Sequence, residues 1–265
     1  MTTVKTRGRG SPMYAAERQQ RIIAEARRAG RVEVTALADS LGVAAETVRR
    51  DLTALERRGS LRRVHGGAIP VERLEVEPTL ATRSGRLADV KRRIAARALD
   101  ELPSGGSIIL DAGSTTLAVA EMLPPDLDLT VLTNSLAAAT VLSTHPGIKL
   151  YLLGGRVRGT TGAAVGDWAT GALADVVVDV AIIGTNGLSV ARGLTTPDQS
   201  ESLVKRAMVG AARKCVVLTD SSKAGDDHLH RFAQLADVDV VITDTDLDDD
   251  VAAEIRAAGP EVVTA

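Results

Sequence analysis

Residues 42–69 read GVAAETVRRDLTALERRGSLRRVHGGAI, and the fold of the chain turns on this stretch. Val48, Leu52 and Leu55 recur at i, i+4 and i+7, the spacing of one apolar face of an α-helix, while Arg49, Arg50, Thr53 and Arg57 fall on other faces. One side of such a helix packs and the other meets something anionic. Gly59 follows the last periodic residue, where a left-handed cap costs least for a residue without Cβ. Beyond it Leu61, Arg62, Arg63 and Val64 run extended into His65, Gly66 and Gly67, a turn, and Ala68 and Ile69 return as a second strand. A basic helix followed by a basic two-stranded ribbon is the outline of a winged helix-turn-helix.

Working upstream, residues 15–29 form a helix with Ile22, Ile23 and Ala26 inward, Arg18, Arg21, Arg27 and Arg28 outward, and Gly30 as its stop. Val32 and Val34 lead into Thr35, an N-cap for a short helix with Leu37, Ala38 and Leu41 inward, ended by Gly42. Residues 1–12, rich in Arg, Gly, Thr and Ser, have nothing to bury and read as a disordered arm. The run TVRRDLTALERRGSLRRVHGGA then resembles the DNA-binding signature of the DeoR family of bacterial transcriptional regulators, its most telling parts being the arginine pair before Asp-Leu and the His-Gly-Gly after the wing. The resemblance implies double-stranded operator DNA as a partner. Glu46, Thr47, Arg49 and Arg50 then face base edges or phosphates from the inserted end of the helix, with Arg57 and Thr35 on the same surface. Arg62, Arg63 and His65 meet phosphate or minor groove. Arginine both reads guanine and grips phosphate, so the division of labour between Arg49 and Arg50 stays open. Asp51 is expected to partner a neighbouring arginine. The chain departs from the family at Ala44, where a serine usually caps this helix. Losing that cap costs about 1 kcal/mol, so the helix start is expected either to fray more or to be capped by another group such as Glu46.

The formal net charge of −2 hides an asymmetry: residues 1–69 carry +7 and the remainder −9. A basic head suits a polyanion, and an acidic body is repelled from the same surface. With 265 residues the chain is long enough for two domains. Its one cysteine, Cys215, lies in the apolar run CVVL and is expected buried and inert. No membrane span or signal-peptide core is visible, and the expected location is cytoplasmic.

Residues 71–86, which follow Pro70, contain Pro78 and show no sustained period, read as a linker between a DNA-binding domain at 13–70 and an α/β effector-binding domain at 87–265. A helix over 87–102 places Val90, Ile94, Ala98 and Leu102 inward and Lys91, Arg92, Arg93 and Arg97 outward. From 107 onward short apolar runs alternate with helix-length stretches: SIILD, LTVLT, KLYLLGG, VAIIGT, CVVLTD, VDVVIT and a last run at 261–264. This is the pattern of βαβ crossovers and a mostly parallel sheet buried on both faces. Several runs end in polar clusters: DAGSTT at 111–116, TNS at 133–135, Gly154 and Gly155, GTNG at 184–187, and DSSK at 220–223. Ligands of open α/β sheets bind beyond the carboxyl ends of the strands, so a small molecule belongs there. A glycine and three hydroxyl residues opening a helix offer N–H groups, a favourable dipole and hydroxyl donors fit for a phosphate, although Ser and Thr at helix starts also serve as plain caps.

The order of these clusters resembles the effector domain of the DeoR family, which is similar to ribose 5-phosphate isomerase. The resemblance implies a phosphorylated sugar or related metabolite as effector, held by Asp111, Gly113, Ser114, Thr115, Thr116, Asn134, Ser135, Lys205 and Lys223, with Gly154, Gly155 and Asp220 on the same rim. Glu201 and Lys205 stand at i, i+4, so an intrahelical ion pair is the competing reading. Two functions follow: a transcriptional regulator, most simply a repressor of a carbohydrate catabolic operon acting as a homodimer or homotetramer, and a sugar-phosphate isomerase-like enzyme with Asp111 or Glu201 as base. No catalytic residue, metal site or cofactor is assigned under the first. His228 and His230 with Asp226 and Asp227 read as a polar loop rather than a metal site, Trp168 and Tyr151 as core or rim packing, and the acidic run 244–250 as a helix N-terminus. There is no P-loop, paired-glycine dinucleotide fingerprint or nucleophile elbow.

Overall fold

A computed structural model describes residues 15–57, 60–70 and 77–265, and the chain divides into two compact units between Val76 and Glu77. The expected N-terminal arm, the Gly59 cap and residues 71–76 of the expected linker lie outside the described residues, as does the side chain of Arg57.

In the first unit α1 (Ala15–Ala29), α2 (Val34–Leu41) and α3 (Ala45–Arg57) enclose a small core. Ile22, Ala26, Leu37, Val48, Leu52 and Leu55 are its buried side chains, as the 3.6-residue spacing required. Gly30 and Gly42 end α1 and α2 with positive φ, the conformation cheapest for glycine. Three expectations are corrected. The N-cap of α2 is Glu33 without a side-chain bond, and Thr35 sits exposed in its first turn, because Val32 and Glu33 are drawn into a strand. That strand, β1 (Val32–Glu33), joins β2 (Leu61–Val64) and β3 (Gly67–Pro70), so the wing is three-stranded, in the order β1-β3-β2. Arg18 is not outward but largely buried: its Nε donates to Asp51 at 2.5 Å, beside Gln19 Nε2 at 3.0 Å, and pins α1 to α3.

The second unit is built on seven parallel strands in the order β15-β14-β12-β9-β4-β5-β6. These are β4 (Gly106–Leu110), β5 (Leu129–Thr133), β6 (Ile148–Leu152), β9 (Val178–Gly184), β12 (Ala212–Leu218), β14 (Val240–Thr243) and β15 (Glu261–Thr264), the seven apolar runs of the sequence. Side chains alternate between two cores. Ile108, Leu110, Val180, Ile182, Val216 and Leu218 face one, under α5 (Ala88–Ala98), α6 (Ser114–Met122) and α7 (Leu136–Leu142). Ile109, Ala181, Ile183, Cys215 and Val217 face the other, under α8 (Asp167–Leu173), α9 (Gln199–Gly210) and α10 (Asp249–Ala257). A sheet covered on both faces has no use for polar alternation, hence the unbroken apolar runs. Burial pushes the Cys215 thiol up to about 12, so it stays inert.

Smaller pieces were not anticipated: a hairpin of β7 (Arg156–Val157) and β8 (Ala164–Val165), and an antiparallel sheet of β10 (Gly187–Ser189), β11 (Gly193–Thr196) and β13 (His230–Ala233). Nor is the whole stretch 71–86 free chain. Residues 77–86 belong to this unit and include α4 (Leu80–Gly85), capped by the Thr79 hydroxyl. The helix expected over 87–102 is α5 followed by a 3₁₀ turn, Leu99–Glu101, and Leu87 precedes it in the left-handed region. Trp168, expected in core or rim packing, is 81% exposed, and Tyr151 is half exposed.

Candidate functional site

Two surfaces gather the chemistry, one in each unit. In the first, burial of Val48, Leu52 and Leu55 leaves Glu46, Arg49, Arg50 and Thr53 on the outer face of α3. With Ala54 and Arg63 they line a concavity of about 390 Å³. Arg63 ties the wing to the helix: its N–H donates to Glu56 Oε1 at 3.0 Å and its Nη1 to the Thr53 hydroxyl at 3.2 Å. Ala44 has no side chain to cap α3, and Glu46 does not replace it. Its carboxylate instead meets Arg49 Nη1 at 3.3 Å and Arg50 Nε at 4.0 Å, exposed pairs that a phosphate readily displaces. Thr47 and Arg62 are half-buried, and His65 stands exposed at the wing tip.

The His-Gly-Gly signature has a steric cause. Gly66 turns the wing with φ +72°, and a Cβ on Gly67 would lie 1.9 Å from the Val32 carbonyl oxygen, inside the β1–β3 pairing. Arg31, which sequence reading passed over, donates to the His65 carbonyl at 2.9 Å and holds the tip from below.

The second surface is the carboxyl rim of the sheet. From β4 the chain steps outward to β5 and β6, then returns to β9 and proceeds the other way to β12, β14 and β15. The reversal falls between β4 and β9, where such sheets open a crevice. Asp111 follows β4, and its carboxylate accepts from Gly184 N–H at the end of β9 (3.0 Å) and pairs with Lys205 of α9. Lys205 Nζ also donates to the Gly184 carbonyl at 2.9 Å and lies 5.4 Å from the centre of the Phe232 ring. Both charges are almost wholly buried. Burial pushes the Asp111 carboxyl above its ordinary value, against the pull of Lys205 and of the Gly184 N–H. The Glu201–Lys205 pair of the competing reading is not made: Glu201 accepts from Arg158 Nη1 and the Thr161 hydroxyl, each at 2.6 Å.

Gly113 and Ser114 open α6 beside Asp111, and the first-turn N–H groups of a helix have no intrahelical acceptor. Several expected ligands turn out to be engaged in building this rim. The Thr116 hydroxyl donates to the Asp111 carbonyl at 2.6 Å. Asn134 accepts from Ala112 N–H and donates to the Ala164 carbonyl, and Ser135 caps α7. Gly154 is exposed, while a Cβ on Gly155 would lie 2.5 Å from the Val165 carbonyl oxygen, so that glycine serves the hairpin. Thr115 is buried.

Asp220 and Lys223 face each other at 3.6 Å at the end of β12. Burial works to raise the Asp220 carboxyl, but Lys223, the Ser222 hydroxyl and Lys91 outweigh it and hold it low. Lys223 is held below the ordinary lysine value, first by burial and then by Arg83 and Lys205, against Asp220. Lys91, like Arg18, was expected to point outward and does not. It is buried, its Nζ donates to the Arg83 and Arg86 carbonyls (2.7 Å to the latter), and burial together with Lys223, Arg83 and Arg86 lowers it to about 8. The signal was present: Lys91 precedes Ala95 and Ala98 at i+4 and i+7, on the face that also carries Ile94.

Arg158, also passed over, gathers three carboxylates: Glu77 at 2.9 Å, Asp198 at 3.2 Å and Glu201 at 2.6 Å. Burial opposes its charge, but Glu201 and Glu77 more than compensate and raise its pKa. His228 Nε2 lies 3.2 Å from the Asn186 carbonyl and Asp227 accepts from the Ser189 hydroxyl, so the histidine loop is structural. Among the described residues no cluster of His, Cys, Asp and Glu is arranged to hold a metal, and no helix is long and apolar enough to cross a membrane. Asp248 caps α10, as the acidic run implied.

Comparison with known proteins gives a family for each part of the chain. Residues 18–73 match the DeoR-like helix-turn-helix domain, and residues 87–245 match the DeoR C terminal sensor domain. The HTH-type transcriptional regulator GlpR of Haloferax volcanii is 39% identical over 95% of this chain and 98% of its own. A putative aga operon transcriptional repressor of Escherichia coli O157:H7 is 31% identical over 93% of each. Among solved structures, ribose 5-phosphate isomerase A from Neisseria gonorrhoeae overlaps 51% of this chain and 52% of its own, at 19% identity and a TM-score of 0.38.

Proposed function

Since the chain belongs to the DeoR family of transcriptional regulators, we propose that it represses a carbohydrate catabolic operon and that a phosphorylated sugar, or a related metabolite, releases it from its operator. The observation that carries the effector half is the convergence of charge at the strand reversal. Lys205 pairs with Asp111, next to the open N-terminus of α6, and Lys223, paired with Asp220, and Lys91 are close enough to feel each other's charge. Ser114, Thr115 and the N–H groups of the first turn take phosphate oxygens, and the lysines neutralise them. The DNA half rests on the exposed Arg49, Arg50 and Arg63, flexible cations beside a rigid helix.

The buried carboxylates speak against sugar-phosphate isomerisation. A base that takes a proton from carbon must be free to receive it. Asp111 is held by Lys205 and Gly184, and Glu201 by Arg158 and Thr161. One winged helix covers too little DNA for tight, specific binding, so a homodimer or homotetramer on a repeated operator is part of the proposal.

The test is a thermal-shift screen with sugar phosphates and their unphosphorylated parents. A ligand at 100 times its dissociation constant stabilises the folded state by about 2.7 kcal/mol. Stabilisation by a phosphorylated sugar and not by its parent supports the reading; the reverse pattern refutes it.

A further inference from the structure

The outer face of α3 carries one group of the wrong sign for DNA. Helix α3 has three carboxylates, and two of them build the fold: Asp51 accepts from Arg18 and Gln19 and joins α3 to α1, while Glu56 accepts the Arg63 N–H at 3.0 Å and joins α3 to the wing. Glu46 does neither. Its side chain is 62% exposed, and among the described residues its partners are two arginines of its own face, Arg49 Nη1 at 3.3 Å and Arg50 Nε at 4.0 Å. It stands in the first turn of α3, the end that a helix-turn-helix protein inserts into the major groove. Among the described residues lining the concavity between α3 and the wing it is the one carboxylate, set beside Arg49, Arg50 and Arg63.

A duplex offers such a carboxylate very little. Phosphates repel it, and guanine N7 and O6, adenine N7 and thymine O4 are acceptors as it is. The donor class within reach in the major groove is the exocyclic amino group, N4 of cytosine or N6 of adenine. The neighbouring arginines have the opposite need. They carry donors alone, so on DNA they turn to phosphate oxygens or to guanine acceptors and leave the carboxylate without its partners in the free protein.

We propose that Glu46 is a specificity-determining residue of the operator contact: its carboxylate accepts from the exocyclic amino group of one base in each half-site, and it penalises any duplex that presents an acceptor at that point. The inference rests on the reading of α3 as the helix that faces DNA. It adds the chemical group that this position recognises. Discrimination then comes from repulsion as much as from attraction, because a carboxylate lowers affinity for duplexes in general and recovers it where an amino group meets it.

The experiment uses the full-length protein without added metabolite. Wild type, E46A, E46Q and R50A each select duplexes from a randomised library, and anisotropy at one fixed salt concentration then reads affinity for the wild-type selected duplex and for a fixed unrelated one. E46A is expected to lose its base preference at one position of each half-site, to keep the others, and to bind the unrelated duplex more tightly than wild type. Replacing the base at that position by its analogue without the amino group, unsubstituted purine for adenine or a pyrimidinone for cytosine, is expected to weaken wild type about tenfold and E46A not at all. E46Q separates the two bases. Its amide donates and accepts, which suits adenine N7 and N6 together, so it turns a cytosine preference toward adenine and sharpens an adenine one. E46A that selects the same bases as wild type, or that loses as much as wild type when the amino group is removed, overturns the role of Glu46 and leaves the regulator reading intact. So does an affinity gain in E46A that is uniform over all sequences, because lost charge alone accounts for it. Should E46A fail to fold, the base preference of E46Q decides, and an unshifted preference overturns the role. If wild type selects no sequence, or R50A selects as wild type does, the reading of α3 as the DNA-facing helix falls, and this inference with it.

Discussion

At the scale of single residues, charge placed without a packing role separates from charge that builds the fold. Arg50 is exposed and, among the described residues, pairs only with Glu46 at 4.0 Å, so Arg50→Ala is expected to abolish operator binding in a gel-shift titration at fixed salt and to leave the melting temperature unchanged; undiminished binding contradicts its placement on the DNA face. Gly67 is the opposite case. With the Val32 carbonyl oxygen 1.9 Å from any Cβ, Gly67→Ala has to push β1 away from β3 and should cost the DNA-binding unit about 2 kcal/mol, read by urea unfolding. Lys91 carries a pH dependence. Its folded value of about 8 lies below the ordinary 10.5, so the folded protein releases this proton before the unfolded chain does. The penalty for burying the charge is fully present below pH 8 and is relieved as pH rises toward 10.5, so this contribution makes the protein more stable over that window, and Lys91→Met should flatten the rise. Lys223, Arg83 and Arg86 press the same way and Asp220 against. An anion at the rim favours the protonated lysine, so its affinity should fall as pH climbs past 8, by up to about tenfold per unit. Affinity unchanged between pH 7.5 and 9.5 contradicts the presence of Lys91 at that site.

At the scale of elements, α3 starts without a side-chain cap, because Ala44 offers no oxygen and the Glu46 carboxylate turns to Arg49 and Arg50. Ala44→Ser is expected to stabilise the DNA-binding unit by about 1 kcal/mol, measured by chemical denaturation. The seven strands of the parallel sheet were legible as seven apolar runs because both faces are covered, and α1 to α3 because their apolar stripes keep a 3.6-residue period. Strands of two or three residues, Val32–Glu33, Arg156–Val157 and Gly187–Ser189, were not. They have no period of their own and exist only through the partners that tertiary structure brings alongside. The rim divides in the same way. Asp111 and Lys205 stood out because each sits at the end of a run or on the flank of a helix, whereas Lys91 was read as outward and Arg158 was passed over. Charge reads as exterior by default, and only the fold reveals which cations are held inside by carbonyls and carboxylates. Hydroxyl and amide residues carry a structural task that the sequence did not show. Thr116, Asn134 and Ser135 looked like ligand donors and are largely engaged in joining the loops that carry them.

At the scale of the whole molecule, the sequence splits into a first part at +7 and a remainder at −9. Operator affinity should therefore fall steeply as salt rises, through release of counterions from the operator phosphates that the proposal assigns to Arg49, Arg50 and Arg63, while effector binding by buried charges should change much less. The two units carry different chemistry, and regulation requires that their states be coupled by about 1 to 3 kcal/mol, equivalent to a 5- to 150-fold change in operator affinity. The most direct measurement of that coupling is operator affinity by fluorescence anisotropy at one fixed salt concentration, with and without a saturating amount of the sugar phosphate that stabilises the protein most. The account requires the ligand to weaken binding at least fivefold and to be recovered chemically unchanged. Operator affinity that is indifferent to a bound sugar phosphate, or steady conversion of that sugar phosphate by the purified protein, contradicts it.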